Sequence, residues 1–494
     1  MKQFTLATRF LTSLLHGLDK TWLVPLLGIF RRILASVESF RNKEITPRSF
    51  EQFERRLERH ARELARIILE RTLNGIESDR RPTALNWEHR TFFPNRRSFH
   101  TIETRLGTVG YQRWIFTAEL SLFVRGIAPL DLRLGILAER VSPGLAHQLG
   151  RLATDLPQQP SLQQLREQFN VRLSVTAYRR IVERLSIEVG NRHDEQAVEQ
   201  AVEQLVEWIE EADPIQGKHE VLLLVGRDGV HVPMRGCWKE AVCATLTVYD
   251  RNRQRLGTVY LGEMPQKDQQ RMTDRLTKVI RGAIQGSGER SLKLRYVTDA
   301  GSLPRKYFRQ VLSKMKHPQT GEAMNWSWGV DFYHVCEYLS ALSGALFGTG
   351  TSQSQTWFRA QRHTLRHHGC GVQSVMRRAA QQRRRHGCQG SEDEYRKAVG
   401  YLARYRQFMD FAERRKAGDP IGSGVTEAGC KVIFNQRMKQ AGMRWSKAGG
   451  QSIVDLRTAC RSHLWDRIWR CWQDSQTNLP PINQTISEFT RAVA

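Results

Sequence analysis

The chain has 494 residues, 40% apolar and 26% charged, with a formal net charge of +26. That length exceeds one ordinary core and calls for about two to four domains, and the apolar content excludes a purely disordered tail. The positive excess runs through sequence that also carries Trp, Phe and Leu, which points to a folded protein with a polyanionic partner such as nucleic acid.

Eight cysteines include no Cys-x-x-Cys pair and no scaffold spacing, so a reducing, cytoplasmic setting is expected. His367, His368 and Cys370 with His386 and Cys388 are metal-ligand residue types, but their gap fits no standard zinc module. Trp22–Leu34 is apolar but short, and Arg31 and Arg32 interrupt it. Neither a membrane span nor a cleaved leader is expected.

In chain order, residues 1–90 read as a helical region. Phe53, Leu57, Leu64, Ile67, Ile68 and Leu73 recur at helical spacing. Residues 91–130 read as a small β-hairpin region around Gly107 and Gly110. Residues 131–192 turn helical, with Ser142-Pro143 opening one helix. A pair follows over 161–185, with a turn near Asn170 and a second helix from Ser174 that carries Arg179, Arg180 and Arg184. That spacing fits a helix-turn-helix with these arginines on DNA. Residues 193–216 form an acidic helix, read as a connector or a dimer seam.

A sheet domain is expected over 217–345. Residues 219–236 read as a buried strand, a turn at Asp228-Gly229 and a second strand; Cys243–Asp250, Arg255–Glu263 and Ser291–Asp299 continue as strands, a helix covers about 267–286, and a last strand runs through the Asp331–His334 segment. Residues 346–415 read as a helical insertion rich in Arg and His, with Arg377, Arg378, Arg383, Arg384 and Arg385 as a phosphate-contacting patch. The sheet domain is expected to resume over 416–475, and 476–494 to be a loosely ordered tail.

Asp228 and Asp299 end two of these strands. Glu427 opens a helix after the Gly-Ser-Gly turn of Ile421–Ser446 (IGSGVTEAGCKVIFNQRMKQAGMRWS), where Ser423 or Thr426 caps it. Each acid also has an ordinary reading, the aspartates as turn residues and Glu427 as a first-turn acid paired with Lys431. If the three converge, their repulsion calls for cations. The natural occupants are two magnesium ions, which prefer oxygen ligands and can serve phosphodiester displacement by water or a DNA 3′-hydroxyl.

The series GRDGV, VTDAG, DFYHVCEYL, GDPIGSGVTEAGCK and RMKQAGMRWS resembles the DDE transposases of bacterial insertion sequences, most closely the ISKra-type group, over roughly residues 125–475. The resemblance implies an α/β RNase H-like catalytic core with an all-helical insertion, preceded by mostly helical N-terminal DNA-binding domains. It also implies two Mg2+ ions, with Mn2+ as a substitute, and Asp228, Asp299 and Glu427 as catalytic and metal-binding residues. Asp331 and His334 are similar to the Asp-x-x-His signature of Mutator-like relatives, as supporting residues, with the acid holding the imidazole. Glu337 is a rival third acid. Lys431, Arg437, Lys439, Arg444 and Trp445 are candidate DNA contacts, the indole as a base-stacking surface.

The expected activity is binding of terminal inverted repeats followed by metal-dependent strand cleavage and transfer. The implied partners are double-stranded DNA (element ends and target) and further copies of the chain, a dimer or higher oligomer, with no membrane. The rivals are a non-catalytic DNA-binding protein and a nuclease of the same fold.

Overall fold

The computed structural model describes residues 20–118, 126–188, 194–288 and 290–482. The chain is mixed α/β, with one three-stranded and one five-stranded sheet among the described residues, and it divides into two compact units, 1–185 with 472–494, and 186–471.

The first unit begins with helices α1 (Lys20–Arg41) and α2 (Pro47–Asn74). Thr46 starts α2 by accepting the Ser49 N–H while the Ser49 hydroxyl accepts the Thr46 N–H, a reciprocal cap. The two helices meet where Phe40 stacks on Phe53 at 4.6 Å. Strands β1 (Leu85–Trp87), β2 (Arg90–Thr104) and β3 (Gly107–Thr117) form the small sheet, and the hairpin closes between Thr104 and Gly107. A side chain at Gly110 would strike the Phe99 ring, so the glycine lets that ring lie across the sheet. The short α3 (Pro129–Arg133) supplies Asp131, which accepts hydrogen bonds from Tyr111 and Arg113, both at 2.6 Å.

Helix α4 (Pro143–Asp155) is capped by Ser142, and α5 (Gln158–Phe169) leads into α6 (Val175–Ser186). Asn170 makes the turn in the left-handed region at φ 54°, a conformation asparagine tolerates, and the Ser174 hydroxyl accepts the Ala177 N–H at 3.1 Å to start α6. Residues 1–19 and 119–125 of the expected N-terminal regions lie outside the described residues. Part of the expected loose tail is tied down: the carbonyls of Asn478 and Pro480 accept hydrogen bonds from Trp87 and Arg133. The rest of that tail, 483–494, also lies outside the described residues.

The second unit is built on β4 (Val221–Pro233), β5 (Trp238–Tyr249), β6 (Arg255–Glu263), β7 (Leu292–Thr298) and β8 (Trp326–Val330), in the order β6-β5-β4-β7-β8. The first three form an antiparallel meander, and β7 and β8 run parallel to β4. Parallel neighbours need crossovers, here α8 (Gln270–Gly286) and α9 (Ser302–Gln310). The acidic helix, α7 (Asp194–Ala212), comes between α6 and β4 in the chain and packs on α8. It buries Ala201, Leu205 and Ile209, and Val202 and Val206 lie against Gly282 and Gly286 of α8. Residues 189–193 between α6 and α7 lie outside the described residues.

After β8 come α10 (Phe332–Phe347), α11 (Ser352–His367), α12 (Gly371–His386), α13 (Glu392–Tyr405) and α14 (Phe411–Lys416). Asp331 does not continue the strand as expected. It caps α10 by accepting the His334 N–H at 2.6 Å. After residue 416 the chain returns to the sheet as helices, through α15 (Gly424–Cys430), a π-helical stretch Lys431–Asn435 and α16 (Lys447–Arg461). Among the described residues no helix is long and apolar enough to cross a membrane.

Candidate active site

Strand register brings three aspartates level at one edge of the sheet. The last parallel pair of β4 and β7 is Gly226 with Val297, and that of β7 and β8 is Thr298 with Val330. Asp228 and Asp299 each lie two residues beyond the first pair, and Asp299 and Asp331 one beyond the second. Because side chains alternate, all three leave the sheet on one face, the face covered by α15.

Helix α15 reaches that face because its contact residues are small. A side chain at Gly226 would come within 1.9 Å of the Thr426 hydroxyl, and Thr426 bonds Thr245 on β5 at 2.8 Å. One turn on, a side chain at Gly429 would crowd Cys243 and Thr245. Thr426 and Gly429 thus face the sheet, while Glu427 stays exposed. Its carboxylate accepts the Ser423 hydroxyl at 3.0 Å and makes no ion pair with Lys431, so the i,i+4 reading fails.

Asp228 is half-buried. Its two oxygens accept the Gly229 N–H at 2.7 Å and the Cys430 thiol at 3.7 Å. Burial, then the charge of Asp299 and, more weakly, that of Glu427 push its carboxyl up to about 6, against the pull of those two donors. Asp299 accepts the Gly301 N–H at 2.9 Å in a tight turn where Ala300 is left-handed at φ 67°. Tyr401 and Tyr405 of α13 donate to the carbonyls of Asp299 and Ala300 at 3.2 and 3.3 Å.

None of the three acids has a Lys or Arg partner among the described residues. Arg227, next to Asp228 in sequence, points to the other face and bonds Thr273 and Gln269 at 3.0 and 2.8 Å. Among the described residues, Asp299 and Glu427 each keep one carboxylate oxygen without a hydrogen bond. Among the described residues no group of three His, Cys, Asp or Glu side chains is already spaced to hold a metal ion. Asp299 and Glu427 therefore act on Asp228 through their charge without forming a closed cage.

Asp331 is buried, 1% exposed. Its second oxygen accepts the Ser423 N–H, and the neighbouring Phe332 N–H donates to the Ile421 carbonyl at 3.0 Å. It therefore ties β8 to the turn that launches α15. It does not hold the His334 ring as the sequence suggested. That ring pairs with Glu337 at 3.1 Å and sits edge-on to Tyr338 and Tyr401. Glu337 is thus engaged with His334, and Glu427 is one of the two acids whose charge acts on Asp228.

The expected DNA contacts separate by burial. Arg437 is 2% exposed, with its guanidinium 5.3 Å from the Trp445 ring. The helical period puts it on the side of Ile433 and Phe434, which face the core, so it cannot meet phosphate where it stands. Trp445 is half-buried: its indole N–H donates to the Met438 carbonyl at 3.0 Å and its backbone bridges to Met234. It is a rim tryptophan, not a free stacking face.

Arg378 bonds Gln361 and Thr364, and Arg383 pairs with Glu392 and lies 4.8 Å over the Tyr395 ring. Arg377, Arg384 and Arg385 are exposed without a side-chain partner among the described residues. Lys431 and Arg444 are exposed, and Lys439 is half-buried. In the first unit Arg179 bonds Gln158 at 3.2 Å, and Arg180 and Arg184 are exposed on α6.

Sequence reasoning missed Gly226, Cys430, Tyr401 and Tyr405. Only Gly226 left a signal, a glycine inside a strand pattern, which marks a close backbone approach. No protein-family model matches the chain, and no curated protein matches it.

Proposed function

We propose that the chain is a DNA transposase of the DDE type that binds the terminal inverted repeats of an insertion sequence, cleaves DNA strands and joins the freed 3′-hydroxyl to target DNA. One observation carries the reading: in a chain of net charge +26, the carboxyl of Asp228 is raised by burial and by the charges of Asp299 and Glu427, with no Lys or Arg set against them among the described residues. A buried carboxylate beside further acids is costly to ionise unless an outside cation completes the site. The sheet order, with a helix-rich stretch between the second and third acids, supports an RNase H-like core with a helical insertion.

The donor set fits two magnesium ions held by Asp228, Asp299 and Glu427: hard oxygen ligands, two with a free oxygen. When bound, such ions activate an attacking oxygen and neutralise a leaving one in phosphodiester displacement. The chain's own residues supply the positioning. The Cys430 thiol and the Gly229 N–H orient Asp228, the Gly301 N–H and the α13 tyrosines hold the Asp299 turn, and Asp331 sets the turn before Glu427.

The exposed arginines of α6 and α12 support phosphate binding. A stripe on α1, with Val24 72%, Leu27 54%, Phe30 53% and Leu34 65% exposed, supports self-association. The test is strand cleavage of end-containing DNA by Asp228→Asn and Glu427→Gln. Loss in both is expected, and near-parental cleavage by both rejects the reading.

A further inference from the structure

We infer that the end of the β4–β5 hairpin is a stacking platform for single-stranded DNA, with Trp238 as its aromatic face and Arg235, Lys239, Lys439 and Arg444 as its phosphate contacts. This rests on the DNA reading above and adds a binding surface to it.

The hairpin closes at the pair Pro233–Trp238, with a turn in which the Met234 N–H donates to the Cys237 carbonyl at 3.0 Å. Trp238 is 57% exposed. Among the described large apolar side chains of this unit, only it and Tyr333 are more than half exposed. Burial of an indole ordinarily stabilises a fold strongly, so one left open on a fixed strand end is available to a ligand.

The platform is rigid. The Trp445 N–H donates to the Pro233 carbonyl at 3.0 Å, and the Arg235 N–H donates to the Trp445 carbonyl at 3.1 Å. Trp445 therefore braces the hairpin that presents Trp238.

The surroundings are cationic. The Lys439 ammonium lies 6.0 Å from the Trp238 ring centre. Arg235, Lys239 and Arg444 are exposed, and of the three only Arg444 has a described side-chain bond, to the Met443 carbonyl at 2.8 Å. The one acid of the hairpin end, Glu240, turns toward Gln269. An exposed ring among cations matches a nucleic-acid strand, whose bases stack while its phosphates take the charge. A hydrophobic protein partner would not call for a cation beside the ring and three more exposed on the hairpin end and the Met443–Trp445 segment.

Trp238 lies five positions beyond Asp228 in the hairpin register, about 17 Å at about 3.4 Å per residue. Strand alternation turns it to the face opposite Asp228. The platform thus engages bases displaced from the cleaved position, not the scissile phosphate.

The test uses the full chain with a labelled oligothymidine and a blunt duplex of equal length, by fluorescence anisotropy. Trp238→Ala is expected to weaken oligothymidine binding about tenfold while leaving the duplex nearly unchanged, and Trp238→Phe to keep most of the affinity. The ring is exposed, so both variants should melt with the parent. Parental oligothymidine affinity in Trp238→Ala overturns the platform. So does an equal loss on both probes, or a change of oligomeric state with DNA affinity intact, which marks a protein interface. If the parent chain binds neither probe in a salt-dependent way, the DNA reading itself has failed.

Discussion

The phenol of Tyr401 donates a hydrogen bond to the backbone carbonyl of Asp299 at 3.2 Å. Tyr401 stacks on Tyr338 at 3.7 Å, so the grip on the acid's turn comes from a packed pair on two helices. With Tyr405 on Ala300, α13 holds a turn whose middle residue is left-handed and not glycine. Such a conformation persists only where its surroundings hold it. Replacing both phenols, Tyr401→Phe with Tyr405→Phe, should cut strand cleavage by about tenfold or more. DNA affinity, measured by gel shift, should not change. An equal loss of both would assign the tyrosines to general stability.

Glu427 and Glu337 separate by environment. Glu427→Gln should lower cleavage by at least about 100-fold, the scale of losing a group that acts at the reacting centre. Glu337→Gln, which removes only the partner of the His334 ring, should retain most activity. The reverse ranking in a single-turnover assay would transfer the third-acid role to Glu337.

The raised carboxyl of Asp228 has a signed consequence. Its folded value of about 6 lies above the ordinary aspartate value of 3.8, so the folded state holds the extra proton between those values. Stability therefore falls as pH rises through that window, and the cost is complete above about pH 6. Asp228→Asn removes it and should stabilise the metal-free protein by about 1–2 kcal/mol at about pH 7.5. At about pH 4 the change should do little. Thermal melts under the two conditions check this. Magnesium should likewise raise the parent's melting temperature more above about pH 6 than below it, because the ion competes with that proton.

Gly226 sets how closely α15 approaches the sheet. Gly226→Val would overlap the Thr426 hydroxyl and should cost about 1–3 kcal/mol as an overpacked contact. Pushing the helix away carries Glu427 with it, so cleavage should fall further than the fraction unfolded explains. Activity per folded molecule, from matched melting and cleavage data, decides.

On α12, neutralising Arg384 and Arg385 should reduce the slope of log affinity against log salt by about 0.9 for each phosphate left without its arginine. Arg383→Gln should instead lower the melting temperature, because it breaks the contacts with Glu392 and Tyr395. An unchanged slope in the Arg384/Arg385 variant removes that face from the DNA path.

Much of this was legible because local chemistry writes it into the chain. The β4 run, Ser142-Pro143 and the Asn170 turn are short-range features, each decided by propensity, capping or a tolerated left-handed residue. The three acids could be named from their local patterns, although Asp228 does not end a strand as expected: β4 runs on through it to Pro233, and α15 starts at Gly424, ahead of Glu427. What the sequence could not show was which neighbours those elements would meet. Arg437 and Trp445 read as exposed DNA contacts, whereas the return segment buries Arg437 and packs Trp445 against the rim of the second unit's core. The Asp331–His334 segment read as strand, whereas its first carboxylate caps a helix.

The amino-acid order by itself determined the alternating strands, the capped helices, the positive charge and the identity of the acids, since all depend on residues a few positions apart. The tertiary structure alone decided that Asp228 feels the charges of Asp299 and Glu427, that tyrosines about a hundred residues away hold the Asp299 turn, and that Trp238 is left open where Trp445 is not. Those outcomes depend on parallel register and helix return across long stretches of chain, and no local pattern encodes a contact between partners so far apart.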